Sequence, residues 1–235
     1  MDIELSDIAT IFNNQSKKNV SGLVTGFSVD SRTVQEGDLF IPLIAQRDGH
    51  EFIADAISGG AIGHLYSHGE PQKNGIKVND TMEALHTLAC EARNKLGALT
   101  IGITGSVGKT TTKDMINECL SAVSTVTASK QSFNNEIGVP LTILSSLPET
   151  EYLVIEMGAR GIGHIRTLCE IANPKIGVVT CIGIAHSEFF GGISQTIQAK
   201  GELVEHLDID GLAVLNNDDD NVRDLRNRTS AEILT

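Results

Sequence analysis

A glycine-rich segment at residues 102–112, GITGSVGKTTT, has the residue types that bind phosphate groups. It follows an apolar run and precedes a helical pattern, so its glycines can bring backbone N–H groups close to phosphate oxygens at a helix N-terminus. Lys109 can reach the β- and γ-phosphates of a nucleotide, and the Thr110 hydroxyl can bind Mg²⁺. The strict pattern G-x-x-x-x-G-K-[S/T] is not met, because its first glycine falls on Ile103. An ordinary glycine turn is the alternative, but the strand–loop–helix context favours nucleotide binding.

Three further residues could complete such a site. Glu156 ends the apolar run YLVIE and could bind Mg²⁺, although a solvated carboxylate at a strand end explains it equally well. His186 follows the apolar run IGVVTCI and so lies at the predicted ligand edge of a sheet, where a lone histidine is still more often structural. Lys200 lies in a predicted helix from Ser194 to Leu207, and neither composition nor spacing distinguishes it from other helix lysines.

An alternation of strands and helices from residue 99 onward must position these residues. Short apolar runs rich in β-branched residues recur at 99–104, 125–128, 152–157, 176–182 and 212–216. This alternation predicts a parallel sheet covered on both faces, with ligands bound beyond the carboxyl ends of the strands. The last three residues, ILT, are expected to begin another strand, which indicates a truncated domain.

The first 80 residues predict a smaller α/β unit. Helices are expected at Leu5–Phe12 and Phe52–Ile57, and strands at 27–29, 39–44 and 61–66. A longer helix is expected from Thr81, as its N-cap, to about Leu96, with Gly97 ending it. The predicted fold class is therefore α/β. A small N-terminal domain over residues 1–80 precedes a doubly wound, mostly parallel P-loop ATPase-like domain over 81–235, incomplete at its C-terminal end.

Composition excludes several classes of protein. The 235-residue chain has a net charge of −12 and no basic cluster, which argues against a nucleic-acid partner. Its four cysteines form no C-x-x-C pair, so neither a zinc site nor a disulfide framework is predicted. The sequence shows neither a signal peptide nor an apolar run long enough to span a membrane. We therefore expect a cytoplasmic protein. We also expect a monomer, although the sequence leaves the oligomeric state open.

Several segments occur in an order that resembles one known family. They are GITGSVGKTTTKDM, SFNNEIGVPLTIL, VIEMGARGIGHI, IGIAHSEFFGG and AKGELVEHL, preceded by SVDSRTVQEGDLFIPL and DGHEFIADAISGGA. Together they resemble the ATP-dependent Mur ligases, within them the MurF type, which joins D-alanyl-D-alanine to a UDP-N-acetylmuramoyl-tripeptide. The resemblance covers nearly the whole chain, and NNEIG and EMGARG favour this type over its sister ligases.

The resemblance implies a role for each matching residue. The ATP phosphates would contact Gly105, Ser106, Val107, Gly108, Lys109, Thr110 and Thr111, with Asn134 near the nucleotide. One Mg²⁺ would bind Thr110 and Glu156, and a second would bind His186 and a carbamylated Lys200. Lys109, His186 and Lys200 would serve catalysis. The UDP-muramoyl substrate would contact Ser31, Arg32, Gln46, His50, Asn135 and Arg160.

The implied reaction is an ATP-dependent amide ligation through an acyl phosphate. The family has a third, C-terminal domain that this chain lacks, so we expect the isolated chain to be inactive. Ala45 departs from the glycine that the family has before the DGH turn, and Ser187 departs from a leucine that is common at its position.

Three alternatives remain: a sister ligase, a ligase resembling folylpolyglutamate synthase, and a non-catalytic fragment that binds nucleotide or UDP-sugar. A P-loop transport ATPase is disfavoured.

Overall fold

Residues 2–12, 20–70, 72–130, 132–183 and 192–235 are described by a computed structural model of the chain. They divide into two units, Met1–Ala92 and Arg93–Thr235, and the division falls near the end of one helix, Thr81–Leu96. His186 and Ser187 lie outside the described residues. No helix within the described ranges is long and apolar enough to cross a membrane.

The first unit contains a parallel four-stranded sheet in the order β3-β4-β5-β6. These strands are β3 Gly26–Ser28, β4 Asp38–Phe40, β5 Gly63–Tyr66 and β6 Gly75–Lys77. A short antiparallel pair, β1 Ile3–Glu4 and β2 Leu23–Val24, lies beside helix α1, Leu5–Ile11. Helix α2, Ile53–Ser58, follows a 3₁₀ turn at Gly49–Phe52. Apolar side chains of α2 pack with Val34, Phe40, Ala61 and Tyr66 in the core of this unit.

The predicted strands of this unit are present, but two of them are shorter than expected. The run 39–44 is a strand only to Phe40. The Ile41 N–H still bonds the Ser28 carbonyl of β3 (2.8 Å), but Pro42 follows and has no N–H with which to continue the ladder. The predicted strand at 61–66 begins at Gly63. Strands β1, β2 and β6 were not predicted, since two or three residues carry no readable periodicity.

Helix α3, Thr81–Leu96, begins where the sequence predicted but is capped differently. The Glu83 N–H donates to the Asp80 carboxylate (2.8 Å), so Asp80 is the N-cap and the assignment of Thr81 as the cap was wrong. Thr81 is instead the first helical residue and is buried. Gly97 follows the helix with a φ of 63°, the left-handed conformation that ends helices, as predicted.

The second unit contains a parallel six-stranded sheet in the order β12-β11-β10-β7-β9-β8. Its strands are β7 Leu99–Thr104, β8 Val126–Ala128, β9 Tyr152–Glu156, β10 Ile176–Val179, β11 Leu212–Leu215 and β12 Glu232–Leu234. The last of these pairs with β11 and confirms the strand predicted at ILT. The predicted strand at 176–182 ends at Val179, and residues 180–183 lie in the loop that follows it.

Helices cover both faces of this sheet, as the alternation predicted. They are α4 Lys109–Ser121, α5 Gly138–Leu144, α6 His164–Ala172, α7 Ile193–His206 and the short α8 Asp220–Arg223. On β7, Ile101 and Ile103 pack with Ile116 and Leu120 of α4. Gly102 points to the opposite face, where a Cβ would press on Leu203 of α7. The predicted α/β fold class is thus confirmed.

Candidate functional site

The glycine-rich loop connects the central strand β7 to α4. Successive strands run from β7 to one side of the sheet as β9 and β8, and to the other side as β10, β11 and β12. The loop therefore lies at the point where the strand order changes direction, which is where open parallel sheets bind ligands. Gly108 has a φ of 84° and immediately precedes α4, so the first N–H groups of the helix face the loop.

Thr180, which follows β10, sets the shape of this loop. Its hydroxyl donates to the Val107 carbonyl (2.6 Å). Gly105 has a φ of 154°, and a Cβ there would overlap the Thr180 hydroxyl, so only glycine allows the loop to approach β10. The Ser106 hydroxyl exchanges hydrogen bonds with the backbone of Gly183 (3.0 and 3.2 Å).

Lys109 bends back over the loop. Its ammonium donates to the Gly105 carbonyl at 2.8 Å and approaches the Ser106 carbonyl at 3.4 Å. These contacts hold a positive charge above the loop N–H groups. Such an arrangement can bind a polyphosphate, because the ammonium and the helix N-terminus both favour anions.

Glu156 lies opposite the loop at the end of β9 and is 5% exposed. One carboxylate oxygen accepts a hydrogen bond from the Thr110 hydroxyl (2.7 Å), and the other accepts one from the Asn134 amide (2.9 Å). The Asn134 carbonyl in turn accepts the Gly158 N–H (2.7 Å). The structure therefore brings Thr110, Asn134 and Glu156 into one oxygen-rich cluster beside the glycine-rich loop.

Two buried residues behind this cluster were missed by the sequence analysis. The Ser129 hydroxyl accepts the Glu156 N–H (3.1 Å), and the Lys113 ammonium donates to the Ser129 carbonyl (3.0 Å). Ser129 directly follows β8, so the sequence could have predicted that it lies at the carboxyl edge of the sheet, where ligands are expected. Lys113 follows Thr110 by three helical residues, which places both on one helix face.

Lys200 lies on α7 and is 4% exposed. Burial, and to a smaller extent the nearby positive charge of Lys109, lower the pKa of its ammonium to about 8. The electrostatic influence of one lysine on the other shows that they share a region of the second unit. A lysine with this pKa is partly neutral near physiological pH and can react as an amine.

Comparison with known proteins identifies the family. Residues 103–235 match the Mur ligase middle domain. The chain belongs to the Mur ligase family. It is 38% identical over 201 residues to the UDP-N-acetylmuramoyl-tripeptide–D-alanyl-D-alanine ligase of Synechocystis, covering 83% of this chain and 44% of that protein. The Bacillus subtilis protein of the same name is 39% identical over 210 residues, covering 87% of this chain and 45% of the relative.

Solved Mur ligase structures show the same fold. MurF from Acinetobacter baumannii superposes with a TM-score of 0.91 at 28% identity, covering all of this chain and 53% of that one. MurF from Thermotoga maritima, solved with ADP, gives a TM-score of 0.77 at 34% identity and covers 89% of this chain and 49% of that one. This Mur ligase chain thus spans about half the length of the relatives it matches.

Asn135 and Arg160, predicted to bind substrate, lie in the second unit of this Mur ligase chain. The Asn135 carbonyl oxygen of the side chain accepts the Ile137 and Gly138 N–H groups (3.2 and 2.9 Å) and so initiates α5. Arg160 is exposed in the loop between β9 and α6. Among the described residues, neither belongs to the cluster around Glu156.

Ser31, Arg32, Gln46 and His50 lie in the first unit of the Mur ligase chain. Arg32 is exposed and pairs with Asp30 through bonds of 2.9 and 2.6 Å, which lower the pKa of that carboxyl to about 2. Ser31 is half-buried beside it, and Gln46 is exposed in the turn before the 3₁₀ segment. These positions leave Arg32 and Gln46 accessible to a ligand.

Both ring nitrogens of His50 form hydrogen bonds within the first unit. The Ser67 N–H donates to Nε2 (3.0 Å), so Nδ1 carries the proton and donates to Asp48 (2.7 Å). His68 Nε2 contacts the other oxygen of Asp48 (2.7 Å), which places three ligand atoms within 4.8 Å of one another. The Ser67 N–H fixes the His50 tautomer whose Nδ1 cannot bind a cation, so these contacts instead brace the turn that contains Gln46.

Proposed function

We propose that this chain is the nucleotide-binding portion of a ligase that uses ATP to join D-alanyl-D-alanine to a UDP-N-acetylmuramoyl-tripeptide, a step in peptidoglycan precursor synthesis. The observation that carries the proposal is the contact of Thr110 and Asn134 with the Glu156 carboxylate beside a glycine loop at the switch point of the sheet. The names of the similar proteins support the choice of substrates.

The residues around Glu156 fit a magnesium ion. A hydroxyl and a carboxylate are the hard oxygen ligands that Mg²⁺ prefers, and the Asn134 amide orients the carboxylate. Bound there with ATP, Mg²⁺ would neutralise phosphate charge. Thr110 and Glu156 would hold it, and the Lys109 ammonium would bind the phosphates from the loop side.

Lys200 fits the proposed carbamate. Its neutral amine would attack CO₂ and lose a proton, giving a carbamate anion whose oxygens resemble a carboxylate. A buried ammonium would repel a second Mg²⁺, whereas the carbamate would bind it, together with His186 in the same proposal. The lowered pKa supplies the neutral amine that this reaction requires.

The proposed ligation has two steps. The tripeptide carboxylate attacks the γ-phosphorus of ATP and expels ADP, and the amine of D-alanyl-D-alanine then attacks the acyl carbon of the acyl phosphate and expels phosphate. The chain would contribute positioning and charge neutralisation by the loop and Lys109. Ser31, Arg32, Gln46 and the turn containing His50 would contact the UDP portion, with Asn135 and Arg160 near the muramoyl peptide.

Calorimetry tests the proposal with the chain itself. We expect it to bind ATP in the presence of Mg²⁺. We also expect it to bind UDP-N-acetylmuramoyl-tripeptide more tightly than UDP-N-acetylmuramoyl-dipeptide or UDP-N-acetylmuramic acid without a peptide. Binding of the dipeptide form alone would favour a sister ligase. Binding of neither nucleotide nor UDP-sugar would refute the proposal.

Lys109→Ala gives a sharper test of the loop. Loss of a charged donor to the phosphates should weaken ATP binding about tenfold or more. The exposed Lys95→Ala is the matched control and should bind like the unsubstituted chain. Equal ATP affinity in both variants would remove Lys109 from the site.

A further inference from the structure

Lys113 is a buried charged residue that the proposed chemistry does not use. It lies on α4 and is 7% exposed. A buried ammonium is costly unless protein groups replace its water. Its partners are the Ser129 carbonyl at 3.0 Å and the carboxylate of the adjacent, exposed Asp114 at 2.5 Å.

Ser129 connects this lysine to the end of β9. It is 1% exposed, and its backbone and hydroxyl are both engaged. The Ser129 N–H donates to the Val154 carbonyl (3.0 Å), while its hydroxyl accepts the N–H of Glu156 (3.1 Å). Ser129 therefore fixes the backbone of the residue whose side chain faces the phosphate-binding loop.

Helix α4 thus holds Glu156 in two ways. Thr110, in its first turn, bonds the carboxylate directly at 2.7 Å. Lys113, one turn further along the same face, bonds Ser129, which holds the Glu156 backbone. Removal of the Lys113 ammonium would leave the buried Ser129 carbonyl without this donor and would release the second of these two constraints.

We propose that Lys113 is a positioning residue for the magnesium–nucleotide site, acting through Ser129 to keep the Glu156 carboxylate in register with the Thr110 hydroxyl. This inference rests on the proposed function, because it assumes that Thr110 and Glu156 hold Mg²⁺. Partners behind metal ligands commonly change metal affinity by about 10- to 100-fold. A lysine that served stability alone would affect unfolding and leave the magnesium dependence of binding unchanged.

The experiment measures the Kd of ADP by calorimetry, once with Mg²⁺ and once with EDTA, and compares the ratio of the two values. Lys113→Met removes the charge and the donor at similar length. Lys130→Met is the matched control, since Lys130 is an exposed lysine adjacent to Ser129. We expect Lys113→Met to reduce the magnesium-dependent gain in ADP affinity about tenfold, with a smaller effect in EDTA, and Lys130→Met to keep the full gain.

The other outcomes separate a failure of this inference from a failure of the proposed function. If the unsubstituted chain gains affinity from Mg²⁺ and a folded Lys113→Met keeps the same gain, the positioning role is overturned while the proposed function stands. If the unsubstituted chain binds ADP in neither condition, the proposed function fails, and this inference with it. If Lys113→Met does not fold, Ser129→Ala replaces it: a reduced magnesium gain supports the inference and an unchanged gain overturns it.

Discussion

At the scale of single residues, the second unit contains two buried lysines in different surroundings. The ammonium of Lys113 bonds a backbone carbonyl at 3.0 Å. Lys200 lies two residues before a buried carboxylate, Glu202, yet burial and Lys109 still lower the pKa of its ammonium to about 8. For Lys200, burial disfavours the charged ammonium and the neighbouring positive charge adds to that effect.

The reactivity of Lys200 can be measured directly. With a pKa of about 8, its neutral fraction should rise as the pH increases through 8, and carbamate formation with it. We expect a carbamate resonance in ¹³C NMR when the chain is equilibrated with ¹³C-bicarbonate near pH 8, and its loss in Lys200→Met. A spectrum that is the same for both proteins would assign no carbamate to Lys200.

At the scale of secondary-structure elements, the helix that carries Lys200 is held from two sides. Glu202 of α7 accepts the Gly163 and Arg166 N–H groups at the start of α6 (2.5 and 3.0 Å). On another side, Arg228 donates to the Ile197 carbonyl (2.9 Å) and packs where a Cβ at position 201 would lie, which explains Gly201. Both contacts fix the position of α7 and therefore of Lys200.

Glu202→Gln tests the cap on α6. The amide keeps the shape, but it has one acceptor oxygen instead of two and no negative charge to interact with the helix N-terminus. We expect the free energy of unfolding to fall by about 1–2 kcal/mol in urea titrations. Glu118→Gln, at an exposed position on α4, should change it by much less. Equal losses in the two variants would argue against the cap.

At the scale of the whole molecule, the two units differ in their buried titratable groups. The first unit contains His64, which is fully buried on β5, and neither ring nitrogen has a hydrogen-bond partner among the described residues. Burial lowers the pKa of His64 to about 4. His64 therefore stays neutral in the folded unit at pH values where an unfolded chain would protonate it.

Acid should accordingly destabilise the first unit. Above the unfolded pKa of about 6.5 His64 contributes no pH dependence, and between 6.5 and about 4 only the unfolded state takes up the proton. The free energy of unfolding should fall by up to about 3 kcal/mol over this window. Tyr66 fluorescence in a Tyr152→Phe background reports on this unit, since the chain has two tyrosines and no tryptophan.

Substitution of His64 provides the control for this prediction. His64→Leu should remove most of the pH dependence between 6.5 and 4, whereas His164→Gln, at an exposed position in the second unit, should leave it intact. A His64→Leu protein with the same slope as the unsubstituted chain would assign the acid sensitivity to other groups.

The sequence by itself determined the features whose physical requirements lie in contiguous residues. The loop at 102–112 needs glycines for its left-handed conformations and a helix N-terminus for its N–H groups, and both are local. The alternation of apolar runs and helices likewise determined the α/β class and the strand at 232–234. Short strands such as β1 and β6, and the Asp80 cap, were missed because their local signals are weak or ambiguous.

Only the tertiary structure decided which distant side chains meet. Asn134 reaches Glu156 across 22 positions and Glu202 caps a helix 39 positions away, while Thr180 touches a loop 73 positions earlier. The contacts of Asn134 and Thr180 depend on the strand order β10-β7-β9-β8, which brings separated strand ends to one edge, and the contact of Glu202 depends on the packing of α7 against α6. An alternating pattern predicts that strands are parallel but does not state which are neighbours, because hydrophobic periodicity describes burial and not pairing.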